Sequence, residues 1–331
     1  MKKIIICLLI FSFLFSVFFV ITQPIFFGYE FKIPLKFPKS NAKILEKHVK
    51  FLSKSDRTTQ DNQEKIVQYI LKELKNYWIN EPNIEIQKYN VWKKEYKNII
   101  VHYRNNVKVF KKEKYIIWAH YDTFWNFSWA DDNASGISGL LEIARILNLK
   151  KIEQTSWHDI DLVFYSTEEP PFFATKNMWS YVHAKSLKEN ENVKLVIILE
   201  MIGYFSEKNN SQDFPVSFLK YFYPTKWNFI AIISDIWNLF KVRNVKKRFK
   251  TYFKKNNLIT AESINAPSFI PGIDFSDHRN YWKFDIPAIM ITDTAFYRNK
   301  NYHTRFDTYE KLDYKKMKEI IDATIASILS F

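Results

Sequence analysis

Two histidines and a set of carboxylates stand in apolar or small-residue surroundings along this chain. They are His120-Tyr-Asp122, Asp131-Asp132-Asn133, Glu168-Glu169-Pro170-Pro171, Glu200 within Leu199-Glu-Met-Ile-Gly203, and Tyr302-His303 followed by Asp307-Thr308. No cysteine lies near any of them. Structural zinc sites are usually closed by Cys, or by Cys with His, whereas a hydrolytic site keeps one position for water. A set built from imidazoles and carboxylates therefore points to metal-assisted hydrolysis.

Each piece has a bland reading beside the chemical one. His120 ends an apolar stretch, and in extended chain Asp122 points the same way. The carboxylate can then hold the imidazole nitrogen that does not face a metal; taken alone, the motif fits a solvent-facing strand end better. Asp132 or Asn133 could cap the helix that follows, or Asp131 could bridge two metals about 3.5–4 Å apart. Glu168 and Glu169 precede a proline, which favours extended backbone. Neighbouring extended residues point opposite ways, so one can face a metal and the other a reacting water. Glu200 follows a fully apolar run, and a buried charge is normally paired or metal-bound; its alternative is an ion pair. His303 is a loop histidine. Asp277 and His278, in Ser276-Asp277-His278, either shape a pocket or cap a helix.

These residues need elements to hold them. Ser40 or Asn41 can cap a helix running to Leu52, and apolar spacing predicts a second helix over Gln63 to Trp78. Strands are predicted at Lys97 to Tyr103, Tyr115 to His120, Asp159 to Tyr165, Val193 to Leu199 and Ile286 to Thr292. Helices are predicted at Ala134 to Leu147, Lys176 to Ser186 and Leu312 to Leu329. The apolar stretch Trp227 to Phe240 reads as a buried helix, too short to span a bilayer and carrying Asp235. Strands alternating with helices imply a three-layer α/β/α sandwich around a mostly parallel, mixed central sheet. In such sheets the strands' carboxyl ends carry the site. Nearly every residue singled out falls at such an end. Gly136, Gly203 and Gly272 lie in or near the motifs, which predicts tight backbone there.

The chain has 331 residues and a net charge of +14, with its basic residues dispersed rather than gathered into a nucleic-acid module. A solvated basic surface is the reading, and nucleic acid is not expected as a partner. The lone cysteine, Cys7, excludes an internal disulfide framework. Lys2 and Lys3 precede an apolar run from Ile4 to about Ile21. That run is long for the core of a signal peptide, and no small-residue cleavage site follows it. Residues 1–23 therefore read as an uncleaved membrane anchor, with a cleaved signal as the alternative. Residues 24–40, with three prolines, read as a linker, and 41–331 as a single catalytic domain. The basic N-terminus puts that domain outside the cytoplasm.

In order and context the motifs resemble the M28 zinc aminopeptidases, exopeptidases with two co-catalytic zinc ions. The matching stretches are Ala119-His-Tyr-Asp-Thr123, Ala130-Asp-Asp-Asn-Ala-Ser-Gly136, Ser166-Thr-Glu-Glu-Pro-Pro171, Glu200-Met-Ile-Gly-Tyr204, Ser211-Gln-Asp-Phe-Pro215, Ser276-Asp-His278, and Asp293-Thr294 through Tyr302-His303 to Asp307-Thr308. They span roughly residues 95–330. The resemblance implies that His120, Asp131 and Glu200 hold one zinc and that Asp131, Glu169 and His303 hold the other. It makes Glu168 the general base, Asp122 the orienter of His120, and Tyr302 a donor to the oxyanion. It also implies a cis peptide after the bridging aspartate, at Asp131–Asp132. The implied substrate is a peptide with a free N-terminus. Two positions depart from the family's habit: Glu200 stands where Asp is common, and Trp129 where Gly is.

Two other readings stay open. One is an M28-like relative acting on another bond, a carboxypeptidase or glutaminyl cyclase, although cyclases generally lack the paired aspartates. The other is a non-catalytic ectodomain, although such relatives usually lose ligands.

Overall fold

The structure is a computed structural model that describes residues 2–22, 37–104, 112–150, 158–187, 191–254 and 257–331. Its helices are α1 (Lys2–Thr22), α2 (Ala42–Leu52), α3 (Gln60–Asn76), α4 (Gly136–Lys150), α5 (Trp179–Ser186), α6 (Leu239–Phe253), α7 (His278–Trp282) and α8 (Tyr314–Ile328). Its strands are β1 (Ile84–Val91), β2 (Lys94–Tyr103), β3 (Glu113–His120), β4 (Asp159–Tyr165), β5 (Asn192–Glu200), β6 (Phe229–Ser234), β7 (Thr260–Asn265) and β8 (Ala288–Thr292). They form one sheet in the order β1-β2-β4-β3-β5-β8-β6-β7.

The centre of the sheet is parallel: β3 pairs with β4 and β5, and β5 pairs with β8. Antiparallel pairs flank it, β1 with β2, β2 with β4 and β6 with β8, while β6 and β7 run parallel at the far edge. The central strands carry long apolar runs, such as Ile116-Ile-Trp-Ala119 and Leu195-Val-Ile-Ile-Leu199, because both faces are covered. On β3, Tyr115, Ile117 and Ala119 face the layer of α2, α3, α4, α6 and α8. Ile116 and Trp118 face the other layer, with α5 and α7. Side chains alternate across a strand, so one continuous run, Val196-Ile-Ile-Leu199 of β5, supplies both cores.

Local signals set the helix starts. The Asn41 side chain accepts a hydrogen bond from the Lys43 N–H and caps α2. Ser40 instead ties this end to α8, its N–H donating to Asp322 Oδ1 at 2.8 Å. Gly136 opens α4 where the chain passes the end of β5: a Cβ there would sit 2.5 Å from the Leu199 carbonyl oxygen. The need is close approach rather than a turn. Gly272 does take the left-handed region, at φ +89°.

Two expectations change. Trp227 to Phe240 is not one buried helix: it divides into β6, a short 3-10 turn at Ile236–Asn238 and the start of α6. A short apolar run cannot be told from a buried helix segment by periodicity. Its β-branched isoleucines find hydrogen-bonding partners in β7 and β8. The N-terminal apolar run is helical, as α1, yet among the described residues no helix is long and apolar enough to cross a membrane. The expected anchor and membrane contact thus gain no support from the fold. Of the expected linker, residues 24–36 lie outside the described residues.

Candidate metal centre

The carboxyl ends of the four central parallel strands converge at one edge. His120 is the last residue of β3, level with Tyr165 of β4, and Glu200 is the last of β5, level with Thr292 of β8. Loops from these ends supply the rest, as expected for an open α/β sheet.

Asp132 stands at the middle. Its Oδ1 lies 3.4 Å from His120 Nε2 and its Oδ2 lies 3.1 Å from His303 Nε2. His120 Nε2 is also 3.4 Å from Glu200 Oε1, and His303 Nε2 is 3.6 Å from Glu169 Oε1. One donor atom from each of His120, Asp132 and Glu169 falls within 4.8 Å of the others, a spacing that could hold a metal ion. Both carboxylate oxygens of Asp132 are thus engaged, one toward each histidine.

The aspartate that faces both histidines is thus Asp132, where Asp131 was expected. Asp131, which the motif resemblance put between the histidines, faces away from them. Its Oδ1 accepts the Gly203 N–H at 3.0 Å and its Oδ2 accepts from Asn299 Nδ2 at 3.2 Å. Successive residues present opposite sides of the backbone, so only one of the adjacent aspartates can face His120 and His303. The cis peptide shifts with it, to Asp132–Asn133 instead of Asp131–Asp132.

Asp122 does two things. Its Oδ1 lies 3.3 Å from His120 Nδ1. The same carboxylate accepts the Glu168 N–H at 3.1 Å and the Glu169 N–H at 2.9 Å. It therefore links the orientation of His120 to the loop that carries Glu168 and Glu169. Among the described residues Glu200 is not salt-bridged to a lysine or arginine; its Oε2 accepts from Ser276 Oγ at 2.7 Å. Asp277 accepts a hydrogen bond from Ser180, and the His278 ring faces the Ile273 carbonyl. Of the Ser276-Asp-His278 motif, then, the serine touches the site directly.

His303 is held by its ring. It stacks on Trp129 at 4.3 Å with planes 6° apart and on Tyr302 at 3.8 Å with planes 19° apart. The large residue at position 129 is the fully buried platform of this histidine. Thr167, Met201 and His303, each at or beside a site residue, have φ of +60°, +51° and +56°. Left-handed backbone costs a non-glycine residue about 1–3 kcal/mol, and such positions gather at functional sites.

The electrostatics show a surplus of acid. Burial raises the Glu168 carboxyl well above its ordinary value; the His120 charge opposes this, while Glu169, Asp277 and Glu200 add to it. Burial and Asp132 push Glu169 up to about 7 against the pull of His303. For Asp132 burial is overcome by the hydrogen bonds to His120 and His303, and its carboxyl falls below the usual range. Burial disfavours charge on His303, but Asp132 and Glu169 lift it to about 10. Burial raises the Tyr302 hydroxyl well above its ordinary value, and Asp132 and Glu169 reinforce that. Tyr302 therefore stays a protonated donor.

Residues the motifs left unassigned hold this arrangement. Asp307 accepts the N–H groups of Asp131, at 3.0 Å, and Asp132, at 3.2 Å. Asn133 Oδ1 accepts from the N–H groups of Gly136 and Met201, and its Nδ2 donates to the Leu199 carbonyl at 2.8 Å, tying the turn to the end of β5. Arg57 reaches the site from the loop between α2 and α3, and no sequence signal marks it.

The model of peptidase family M28 matches residues 98–328. The uncharacterized protein YfbL of Escherichia coli (strain K12) is 47% identical over 218 residues, covering 63% of this chain and 64% of YfbL, so the match spans less than two thirds of that relative. Among solved structures, the LapA aminopeptidase of Legionella pneumophila has a TM-score of 0.65 at 16% identity, covering 92% of this chain and 77% of its own. A glutaminyl cyclase of Bacteroides thetaiotaomicron, solved with N-acetylhistamine, has a TM-score of 0.63 at 18% identity, covering 89% of this chain and all of its own (100%). A Zn-dependent exopeptidase of Parabacteroides distasonis reaches 0.62 at 17% identity, with 89% and 100% covered. At such identities the structural likeness speaks for the fold. The family match, covering residues 98–328, carries the assignment: this chain belongs to peptidase family M28.

Proposed function

We propose that this chain is a zinc-dependent aminopeptidase that removes the first residue of peptides with a free N-terminus. The observation that carries the reading is Asp132, with one carboxylate oxygen toward His120 and the other toward His303. The donor set fits zinc: imidazole nitrogens and carboxylate oxygens without a thiolate, as hydrolytic sites use. His120, Asp132 and Glu200 would hold one ion, and Asp132, Glu169 and His303 the other. The acid surplus that raises Glu168 and Glu169 is the charge two divalent cations would balance.

When bound, two zinc ions lower the pKa of a water and polarise the scissile carbonyl. The residues of the chain do the rest. Asp122 fixes the His120 ring and the Glu168-Glu169 backbone together. Glu168, buried and tuned upward, takes the proton of the attacking water and delivers it to the leaving amine. Tyr302 donates a hydrogen bond from its hydroxyl to the developing oxyanion. The carboxylates around Asp132 attract the substrate's ammonium group, which selects a free N-terminus.

Ser276 orients Glu200, so Ser276→Ala should weaken zinc binding about tenfold, the lower end of the effect of removing a partner behind a metal ligand. Competition with a chromophoric chelator measures it; wild-type affinity would show that Glu200 does not rely on Ser276.

A cavity of about 120 Å³ opens beside the centre, with Glu200 and Tyr302 in its wall. Phe214, Leu219, Ile233, Met290 and Phe296 make it strongly apolar. Such a pocket accepts a bulky apolar side chain as the first residue of the substrate. The full chain, stripped with a chelator and resupplied with zinc, should cleave phenylalanyl and leucyl anilides at least tenfold faster than alanyl ones, a difference of about 1.4 kcal/mol. N-blocked analogues should not be cleaved. Equal cleavage of blocked substrates would reject the aminopeptidase reading, and ring closure of N-terminal glutamine without hydrolysis would support a cyclase instead.

A further inference from the structure

Arg57 lies outside the family-matched residues 98–328, yet its side chain is fully buried, 1% exposed, against the metal centre. Its guanidinium makes four hydrogen bonds, every one to a carbonyl oxygen. Nε donates to Tyr121 at 2.7 Å, Nη1 to Leu52 at 2.8 Å and Trp129 at 3.0 Å, and Nη2 to Asp132 at 3.0 Å. The Arg57 backbone is pinned as well: its N–H donates to Thr123 Oγ1 at 2.8 Å and its carbonyl accepts from Gln63 Nε2 at 3.0 Å.

A buried cation is normally paired with a carboxylate, and this one is solvated by backbone instead. Three of its four carbonyls belong to the site. Tyr121 separates His120 from Asp122, Asp132 faces both histidines, and Trp129 is the ring on which His303 lies. Burial lowers the guanidinium to about 10, with Asp132 the strongest opposing influence, so it is charged at neutral pH.

We propose that Arg57 is a positioning residue of the metal centre: one rigid guanidinium clamps the strand end of His120, the turn of Asp132 and the platform of His303 into a single geometry. The segment of α2 and α3 is then a working part of the centre. Lysine cannot replace it, because a single ammonium lacks the planar fork that reaches separate segments. The proposal rests on the reading of the centre as a zinc site.

The test compares the full chain with Arg57→Lys, which keeps the charge and loses the fork. Zinc affinity is measured by chelator competition, melting temperature with and without zinc, and kcat and KM at saturating zinc. The expected result is a 10–100-fold loss of zinc affinity, a smaller zinc-induced rise in Tm, and a kcat reduced at least about tenfold with KM nearly unchanged. A merely structural role would lower both melting temperatures equally and leave zinc affinity and kcat at wild type; that result overturns the proposal. Should Arg57→Lys fail to fold, Gln63→Leu releases only the Arg57 carbonyl and is read the same way: weakened zinc affinity supports the clamp, and unchanged affinity overturns it. Failure of the wild-type chain to bind zinc would instead reject the zinc reading itself.

Discussion

Glu168→Gln is expected to keep its zinc and lose about a thousandfold in kcat, roughly 4 kcal/mol of transition-state stabilisation. The amide is nearly the same size as the carboxyl, so packing in this buried position is preserved. What it cannot do is accept the proton of the attacking water. Positioned acid–base groups contribute typically 10²–10⁴-fold, and the middle of that range sets the estimate. Burial and its acidic neighbours raise the carboxyl, so it holds a proton taken from water more strongly than a free glutamate would. The measurement is kcat with metal content on the same preparation. Turnover within tenfold of wild type at full zinc occupancy would remove Glu168 from the base role.

Asp132→Ala is expected to have the larger effect on metal. With both oxygens engaged toward His120 and His303, Asp132 would serve both ions. Its loss should bring bound zinc from two per chain to one or none and lower kcat/KM by at least about 10⁴-fold, since positioning and electrostatic stabilisation fail together. Asp131→Ala is the control that separates the neighbours. Asp131 accepts from Gly203 and Asn299 behind the site. Its removal should cost stability and leave most of the zinc. Metal analysis of both variants decides the matter: zinc lost from Asp131→Ala and kept by Asp132→Ala would return the bridging role to the first aspartate.

The slip by one residue shows where sequence reasoning stops. Asp131-Asp132-Asn133 announces a carboxylate before a helix, but neighbouring side chains point to opposite sides. Which one faces inward depends on Asp307, which accepts the N–H groups of both, and on Asn133, which ties the turn to the end of β5. Both contacts come from other parts of the chain. Arg57 was illegible for the same reason: a lone arginine in a polar loop looks like surface until the fold carries it under Tyr121 and Asp132. Trp227 to Phe240 failed differently. Its apolar run has no period that separates strand from helix, and pairing with β7 and β8 decided it.

The sequence by itself determined the sandwich, because apolar runs such as Val196-Ile-Ile-Leu199 are stable only with both faces covered. It also determined which residue types meet at the strand ends, His120 and Glu200 among them, because strand ends follow from where the apolar runs stop. Only the tertiary structure decided which aspartate faces the histidines, which arginine clamps them and how large a cavity opens beside them. Those depend on contacts between segments far apart in the chain, and no local pattern encodes such contacts.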